Sequence, residues 1–467
     1  MKSYHSYQND VLKDYDAVEL VKLIKSGEIS LSDVNTAVIA RLNQVNPTLN
    51  ALARPLELGL GGANEKGYFS GLPILIKDTS RVKDTISTDS SKAFTKPQIS
   101  KESDAIVDQI RGVGFNYIGK TSMPEFGFTC TTEFENDAPT RNPWNTDYNC
   151  GGSSGGSAAL VAAGVLPIAH SADGGGSTRI PASCCGLVGL KPTRGRLLKS
   201  GKFEKQLVDI AIDGVVTRSV RDTIKFYTEA EKFFRNSKLP EIGEAISANK
   251  EKKIFGYSYD PVTGSSEQEV RNALKEVLAD LEKAGHTVKE VQMPVTNQLV
   301  EDFQNLWAMN AFMIKRFGKF LFKQPFDPKL LSPLTKGLSK HYAKQAHKTG
   351  GFIKRLKAAD KIYKEFLKET KIDFFITPTI AGLPPKNGVF DVNKSFPELF
   401  DKMTEWAGFT PIANATGTPA ITLPLKHNEE HNLPIGIMFW GNHGDEKGLL
   451  EVALEMEEMF PFRKINA

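Results

Sequence analysis

The sequence predicts an α/β protein in which helices cover the faces of a sheet and one helical excursion interrupts the pattern. Short apolar strands alternate with helices from about residue 70, beginning with strand 72–76, helix 104–111 and strand 115–118. Residues 253–291 repeat the order strand, helix, strand as a βαβ-like unit. Alternation of this kind is typical of an α/β sheet. Residues 300–370 instead have the spacing of helices and are rich in aromatic and basic side chains.

Two amphipathic helices are predicted before this alternation. The first begins near Asp16 and stops at Gly27, and the second begins at a capping box over 30–33 and ends before Pro47. Apolar residues recur at helical spacing along the second helix at Val34, Val38, Ile39, Leu42 and Val45. Such a hairpin could pack on the body of the protein or on a second copy of the chain, as in a homodimer.

Composition excludes several classes of protein. Of 467 residues, 40% are hydrophobic and 24% charged, with a net charge of +4, which excludes a disordered or collagen-like chain. So small a net charge does not indicate a nucleic-acid partner. The longest apolar run, 158–169, contains Gly164 and Pro167 and falls short of the roughly 20 residues of a membrane span. Four cysteines are too few for a disulfide framework, so we expect a cytoplasmic protein without a membrane span.

The helical excursion carries a basic block. From Lys315 to Lys361 there are 13 Lys and Arg residues against only Asp327 and Asp360. We expect a solvated helical face; steering of anionic substrates and contact with a membrane surface are the alternatives. Seven aromatic side chains of this region could line a pocket or fill the core: Phe312, Phe317, Phe320, Phe322, Phe326, Tyr342 and Phe352. Strands return over 374–377, 420–425 and 434–440.

Two glycine-rich loops carry the chemistry. The first, 151–157, leads directly into an apolar helix, so it is not a linker, and it lacks the Gly-Lys-Ser/Thr of a phosphate loop. The second, 173–181, contains three consecutive glycines followed by Ser177. Consecutive backbone N–H groups can surround a developing oxyanion, and a serine beside them can attack the same carbonyl group.

A nucleophilic serine needs a base, and two residues are candidates. His170 is the only histidine near either loop, and its place at a strand end favours a hydrogen-bonding role. A lysine can act as the base when burial and positive dipoles lower its pKa enough to leave it neutral. Lys77 ends an apolar strand, although an ion pair with Asp78 is an equally good interpretation. His427 and His431 flank a polar, turn-like stretch, so no metal site is expected.

These segments together resemble the amidase signature family of serine hydrolases. The resemblance covers nearly the whole chain apart from about 226–370, in segments 71–78, 119–126, 141–145, 151–159, 173–181, 186–193, 417–421 and 433–436. It implies one large α/β domain with a mixed central sheet, helices on both faces and a helical insertion, in place of the three domains that length suggests. The implied parts are a helical hairpin over 1–60, a catalytic core over 61–225, a variable basic region over 226–370 and the rest of the sheet over 371–467.

The resemblance also implies a role for particular residues. Ser177 corresponds to the nucleophile, Ser153 to a bridging serine held on a cis peptide, and Lys77 to the base. The implied oxyanion hole consists of the N–H groups of Gly174, Gly175, Gly176 and Ser177, and the implied supporting residues are Ser154, Asp173 and Arg179. No metal or cofactor is implied.

Two positions depart from the family pattern. Gly174 stands where a larger residue is usual, which predicts a looser oxyanion hole because glycine is less pre-organised. Cys150, just before the first loop, is also unusual; it could line the substrate pocket or simply fill a small buried space.

The implied function is hydrolysis of a small-molecule carboxylic amide, a carbon–nitrogen bond other than a peptide bond, through an acyl-enzyme. The motifs are most similar to stand-alone amidases such as the cyclic-amide and aminohexanoate-dimer hydrolases. One alternative is the A subunit of glutamyl-tRNA amidotransferase, a glutaminase, although Ile180 replaces that subunit's usual polar residue. The other is a silent scaffold, which the intact Lys77, Ser153 and Ser177 argue against.

Overall fold

The computed structural model describes residues 3–201 and 206–465. The strands are β1 (Pro73–Lys77), β2 (Asn116–Thr121), β3 (Ile168–Asp173), β4 (Val188–Lys191), β5 (Ile212–Thr217), β6 (Ile254–Tyr257), β7 (Thr287–Glu290), β8 (Phe374–Pro378), β9 (Ala420–Asn428) and β10 (Leu433–Trp440). The helices are α1 (Ala17–Ser26), α2 (Leu31–Leu49), α3 (Ala105–Gly112), α4 (Gly155–Ala162), α5 (Arg179–Cys185), α6 (Val220–Phe233), α7 (Gln268–Lys283), α8 (Asn297–Phe322), α9 (Pro333–Gln345), α10 (Thr349–Lys357), α11 (Ala359–Thr370), α12 (Phe396–Trp406), α13 (Thr410–Thr416) and α14 (Glu446–Met459), with short 3₁₀ turns between some of them.

Eight strands form a mixed sheet in the order β3-β5-β4-β9-β10-β8-β6-β7. Strand β6 is parallel to both β7 and β8, whereas the other neighbours are antiparallel. Strands β8, β9 and β10, the three nearest the C-terminus, lie in the middle of this sheet. Strands from the N-terminal and C-terminal halves of the chain therefore share one sheet. Helices flank the sheet, so the predicted α/β class is confirmed, and the βαβ unit over β6, α7 and β7 is confirmed with it.

Strands β1 and β2 stand apart from the main sheet. They form a parallel pair of their own, in which Lys77 lies opposite Thr121. All five residues of β1 are buried, which agrees with its unbroken apolar sequence. The backbone N–H of Lys77 donates to Nδ1 of His170 at 3.2 Å, so the end of β1 is fixed against β3.

The N-terminal helical hairpin packs on the body of its own chain. Asp222, at the start of α6, accepts hydrogen bonds from the backbone N–H groups of Ala17 and Val18 at 2.8 and 2.9 Å. Arg221 beside it forms an ion pair with Asp16, at 2.7 Å. These contacts decide between the two placements that the sequence left open.

Both predicted helix starts in the hairpin are confirmed, but the end predicted for the second helix is wrong. Ser30 caps α2 by accepting from the Asp33 N–H at 3.0 Å, as the capping box predicts. The helix then runs through Pro47 to Leu49. Pro47 lies in the last turn, where its missing N–H removes only one bond, and Asn50 closes the helix in the left-handed conformation with its N–H on the Asn46 carbonyl.

The helical excursion is confirmed as α8 to α11, and most of its Lys and Arg side chains face solvent. Its aromatic residues have no common role. Tyr342 and Phe352 are buried in the core, Phe317 and Phe320 are exposed, and Phe322 lines the cavity described below. Over residues 3–201 and 206–465, no helix combines the length and the apolar character required to cross a bilayer.

We predict that Arg41→Ala lowers the free energy of unfolding by about 3–5 kcal/mol, because it removes a buried guanidinium that links several segments and leaves the buried Gly164 carbonyl without this donor. The Arg41 side chain is buried, and its guanidinium bonds the Gly164 carbonyl at 2.6 Å, the Lys13 carbonyl at 2.8 Å and the Asp10 carboxylate at 2.8 Å. It thereby ties α2 to the N-terminal segment and to the turn after α4. Chemical denaturation followed by circular dichroism measures the change.

The control for this experiment is Lys22→Ala. Lys22 is 72% exposed and pairs only with Glu19 one turn away, so its removal should change the free energy of unfolding by less than about 0.5 kcal/mol. Equal effects of the two substitutions would contradict the structural role given to Arg41.

Candidate active site

Three residues predicted from separate segments line one cavity. Lys77 is the last residue of β1, Ser153 precedes α4, and Ser177 lies between β3 and α5. The cavity has a volume of about 400 Å³, and Gly174 and Gly175 also line it. This cavity is therefore the candidate active site.

The closest contact between these residues joins Lys77 and Ser153. The Nζ atom of Lys77 lies 2.7 Å from Oγ of Ser153 and 3.3 Å from the carbonyl oxygen of Ala172. Both side chains belong to residues that are only 2% exposed, and the peptide bond between Gly152 and Ser153 is cis. A lysine and a serine in direct hydrogen-bond contact can exchange a proton.

His170 contacts the backbone of Lys77 and is not among the described residues that line the cavity. Its Nδ1 accepts the N–H of Lys77, so the ring proton is on Nε2, which faces the Asp213 carboxylate at 3.1 Å. Asp213 in turn accepts the N–H of Ser200 at 2.8 Å. The expectation that His170 satisfies hydrogen bonds is confirmed, but it lies inside β3 and not at a strand end.

An ion pair between Asp173 and Arg179 shapes the second glycine loop. The guanidinium of Arg179 donates to both carboxylate oxygens of Asp173, at 2.9 and 3.0 Å, and both side chains are buried. Burial opposes ionisation of Asp173, but the charge of Arg179 and hydrogen bonds from Arg179 and Asn414 outweigh it and hold the pKa at about 2. The pair therefore stays charged throughout the neutral range and fixes the loop between the two residues.

One of the four amides predicted for the oxyanion hole has a hydrogen-bond partner within the loop. The backbone N–H of Gly176 donates to Oδ1 of Asp173 at 2.6 Å and so is already engaged within the loop. Gly176 has a φ of +126°, and a Cβ atom there would lie 2.1 Å from Oγ1 of Thr410. This glycine is thus required for the shape of the loop, while Gly174 and Gly175 face the cavity. A Cβ at Gly174 would meet nothing nearer than 3.9 Å, so the unusual glycine leaves real space there.

Two residues of α13 hold the same loop and were not found from the sequence. Thr410 donates through Oγ1 to the Gly175 carbonyl at 2.8 Å, and Asn414 donates to the Asp173 carbonyl at 2.9 Å. Asn414 also accepts from Arg179 at 2.7 Å. Their spacing of four residues, directly before the 417–421 segment, places both on one face of a helix, which is the pattern that could have identified them.

The remaining predictions at the loops have different outcomes. Ser154 joins the loops, because its N–H donates to the Ser177 carbonyl at 3.2 Å and its hydroxyl contacts the backbone of Ala172 at 3.3 Å. Cys150 does not line the cavity. It is fully buried, its thiol points to the Thr140 carbonyl at 3.3 Å, and burial raises the pKa of that thiol to about 12. The alternative, a small buried residue that fills space, is correct.

No set of three His, Cys, Asp or Glu side chains in the described parts of the chain is arranged to hold a metal ion. His427, one of the pair considered from the sequence, has its Nε2 on Asn432 Oδ1 at 3.0 Å.

Comparison with known proteins gives consistent matches over the chain. The family model described as Amidase matches residues 31–450. The Mycobacterium tuberculosis protein AmiC, whose name assigns it provisionally as an amidase, is 39% identical over 473 residues, which cover 100% of this chain and 99% of that protein. The 6-aminohexanoate-cyclic-dimer hydrolase of Paenarthrobacter ureafaciens is 31% identical over 480 residues, covering 96% of this chain and 95% of the relative.

Comparison of the fold with solved structures also gives a match to a hydrolase. A solved structure of 6-aminohexanoate cyclic dimer hydrolase superposes with a TM-score of 0.87 at 28% identity, covering 98% of this chain and 99% of that one. The family match over most of the chain, the relatives above 30% identity and the shared architecture confirm the resemblance found in the motifs, and the chain belongs to the Amidase family of carbon–nitrogen hydrolases.

Proposed function

We propose that the protein hydrolyses a carboxylic amide to a carboxylate and an amine or ammonia, with Ser177 as nucleophile, Ser153 as proton bridge and Lys77 as base. The observation that carries this proposal is the 2.7 Å contact between Lys77 Nζ and Ser153 Oγ inside the cavity that Ser177 also lines. The coarser statement, hydrolysis of a carbon–nitrogen bond, follows from family membership.

In the acylation step, Oγ of Ser177 attacks the amide carbon. The proton of Ser177 passes to Ser153, whose own proton passes to a neutral Lys77. Lys77 is buried and ends a strand whose backbone is held by His170, so its amine has a fixed position relative to Ser153. Fixed donors and acceptors lower the barrier because little reorganisation remains.

The negative charge that develops on the carbonyl oxygen is assigned to the N–H groups of Gly174, Gly175 and Ser177. This assignment is supported by two observations: Asp173 engages the amide of Gly176, and Gly174, Gly175 and Ser177 all line the cavity. A removed oxyanion-hole donor typically costs on the order of 10²–10³ in kcat, so the loop's shape matters for turnover.

The leaving group departs when the proton returns through Ser153 to the amide nitrogen and the carbon–nitrogen bond breaks. Water then attacks the carbonyl carbon of the acyl-enzyme and gives a proton through Ser153 to Lys77. The bond between this carbon and Oγ of Ser177 breaks, the proton returns to Oγ of Ser177, and the carboxylic acid that is released ionises to the carboxylate in water. No step requires a metal or a cofactor, and each proton that leaves one group is accepted by a named neighbour.

The cavity favours a neutral amide over glutamine. Of the described residues that line it, none is an arginine, and the charged ones are only Lys77 and Asp89. Free glutamine carries both a carboxylate and an ammonium group, and each requires a charged or strongly polar partner when it leaves water. We therefore prefer a stand-alone amidase to the glutaminase alternative.

We predict that Ser177→Ala abolishes amide hydrolysis and leaves the fold intact, because the acyl-enzyme can no longer form. Wild-type protein should also form a covalent adduct with a serine-directed fluorophosphonate, located by mass spectrometry at Ser177. The exposed Ser32→Ala is the matched control and should keep both activity and adduct.

A Ser177→Ala protein that retained more than a tenth of the wild-type rate would contradict the assignment. A wild-type protein without an adduct would favour the silent scaffold.

We predict that Lys77→Ala lowers kcat by about 10³-fold or more at neutral pH, since Ser153 loses its proton acceptor. In the variant the rate should recover in part at high pH, where hydroxide serves as the base. The measurement is the pH dependence of kcat/KM.

His170→Gln separates the two candidate bases. Because His170 holds only the backbone of Lys77, its substitution should lower the rate and leave the shape of the pH profile unchanged. If the pH profile changed in His170→Gln and stayed the same in Lys77→Ala, His170 would be the base.

We predict that the purified chain alone hydrolyses simple neutral amides at a rate at least about tenfold above that for glutamine, because Lys77 is assigned as the base and no arginine lines the described cavity to bind the carboxylate of the amino acid. Ammonia release from a panel of linear, cyclic and aryl amides and glutamine, or amine release where the amide is substituted, measures this preference. Preference for glutamine would support the amidotransferase alternative instead.

A further inference from the structure

The cavity extends far beyond the reacting groups along helix α8. The residues of α8 that line it recur every three to four positions from Leu299 through Phe303, Trp307 and Asn310 to Ile314, and Leu321 lines it two turns later. At 1.5 Å per residue, the stretch from Leu299 to Leu321 is about 33 Å long. One face of a single helix therefore forms the long wall of the cavity.

The glycine loop lies near the N-terminal half of α8, and the opening to solvent lies near its C-terminal half. A Cβ atom at Gly175 would be 3.2 Å from Cζ of Phe303, so Phe303 stands beside the glycine loop. Met313 and Leu321 line the cavity and are also 38% and 47% exposed, which places an opening to solvent at the C-terminal half of α8. Between Phe303 and Leu321 the helix rises about 27 Å.

The walls between these two points are apolar. Phe322 of α8 stacks on Phe126 with ring centroids 5.8 Å apart, and both rings line the cavity. From α8 the only polar side chains that face it are the neutral Gln304 and Asn310. A charged group placed along this wall would lose its hydration without gaining a partner of opposite charge.

We propose that the substrate is an amide bearing an uncharged apolar chain, which extends along α8 from Phe303 toward Leu321. The apolar side chains along this wall form an apolar channel, and a chain placed in it leaves water without losing any hydrogen bond or charge partner. This inference rests on the proposed amidase function and adds the class of substrate.

Chain-length series test the proposal. The first series is butanamide, hexanamide and octanamide, which extends the acyl side, and the second is N-ethyl-, N-butyl- and N-hexylacetamide, which extends the amine side. In at least one series kcat/KM should rise about fourfold per methylene, the gain expected when each methylene is transferred from water into the apolar channel. Values that are flat or fall with length in both series would overturn the proposal.

A pair of variants on α8 locates the chain in the channel. Trp307→Gln places a polar group in the wall about 6 Å along α8 from Phe303, within reach of an eight-carbon chain, and the ratio of kcat/KM between the longest and the shortest amide of the responding series should fall about tenfold. Phe320→Gln is the matched control, since Phe320 is 81% exposed and is not among the residues that line the cavity. It should keep the wild-type ratio, whereas equal ratios in Trp307→Gln and wild type would contradict this placement. Circular dichroism confirms that both variants fold.

A binding measurement separates this inference from the proposed function. Calorimetric titration of the Ser177→Ala protein with octanamide and with N-hexylacetamide needs no turnover, and burial of the chain should give a negative heat-capacity change for at least one of them. Hydrolysis of short amides without a chain-length gain or this heat-capacity change would overturn the channel assignment alone. Binding with a negative heat-capacity change but no hydrolysis of any amide by wild type would overturn the proposed function and leave the channel supported.

Discussion

The buried ion pair between Asp173 and Arg179 is the interaction on which the active-site geometry depends. Two charges taken out of water are costly unless further hydrogen bonds satisfy them. Here Asn414 and the Gly176 amide supply those bonds, so the carboxylate remains ionised and the loop between the two partners has one conformation. Loss of either partner would leave the other charged and buried, and the loop that presents Ser177 would lose its shape.

The site forms where two separate sheets meet. Strand β1 carries Lys77 in the small parallel pair, whereas β3 leads into the loop with Ser177 in the large mixed sheet. His170 of β3 joins them through the backbone of Lys77, and Ala172 of the same strand accepts from the lysine side chain. Because Lys77 and Ser154, the residue after Ser153, both contact the backbone of Ala172, strand β3 helps to set the distance between Lys77 and Ser153.

Local sequence patterns predicted the fold class and three of the residues in the candidate site. The features that they did not predict depend on contacts between distant segments of the chain. The alternation of strands and helices gave the fold class, and the motifs identified Lys77, Ser153 and Ser177, which the structure brings to one cavity. The engagement of the Gly176 amide could not be predicted, because four glycine-loop amides in sequence do not reveal which one faces a carboxylate. Thr410 and Asn414 were missed since their partners lie 235 and 241 residues away, and Cys150 was ambiguous because burial of a small residue depends on the whole fold.

The hydrogen bonds from α13 to the glycine loop determine when the candidate site can form during synthesis of the chain. During synthesis Ser177 and the glycine loop emerge from the ribosome long before α13, and N-terminal segments begin to fold first. Until Thr410 and Asn414 arrive, the carbonyl groups of Gly175 and Asp173 lack the donors that orient them. A nascent or prematurely terminated chain therefore holds Lys77, Ser153 and Ser177 in an unfinished arrangement, so hydrolytic competence belongs only to the nearly complete polypeptide.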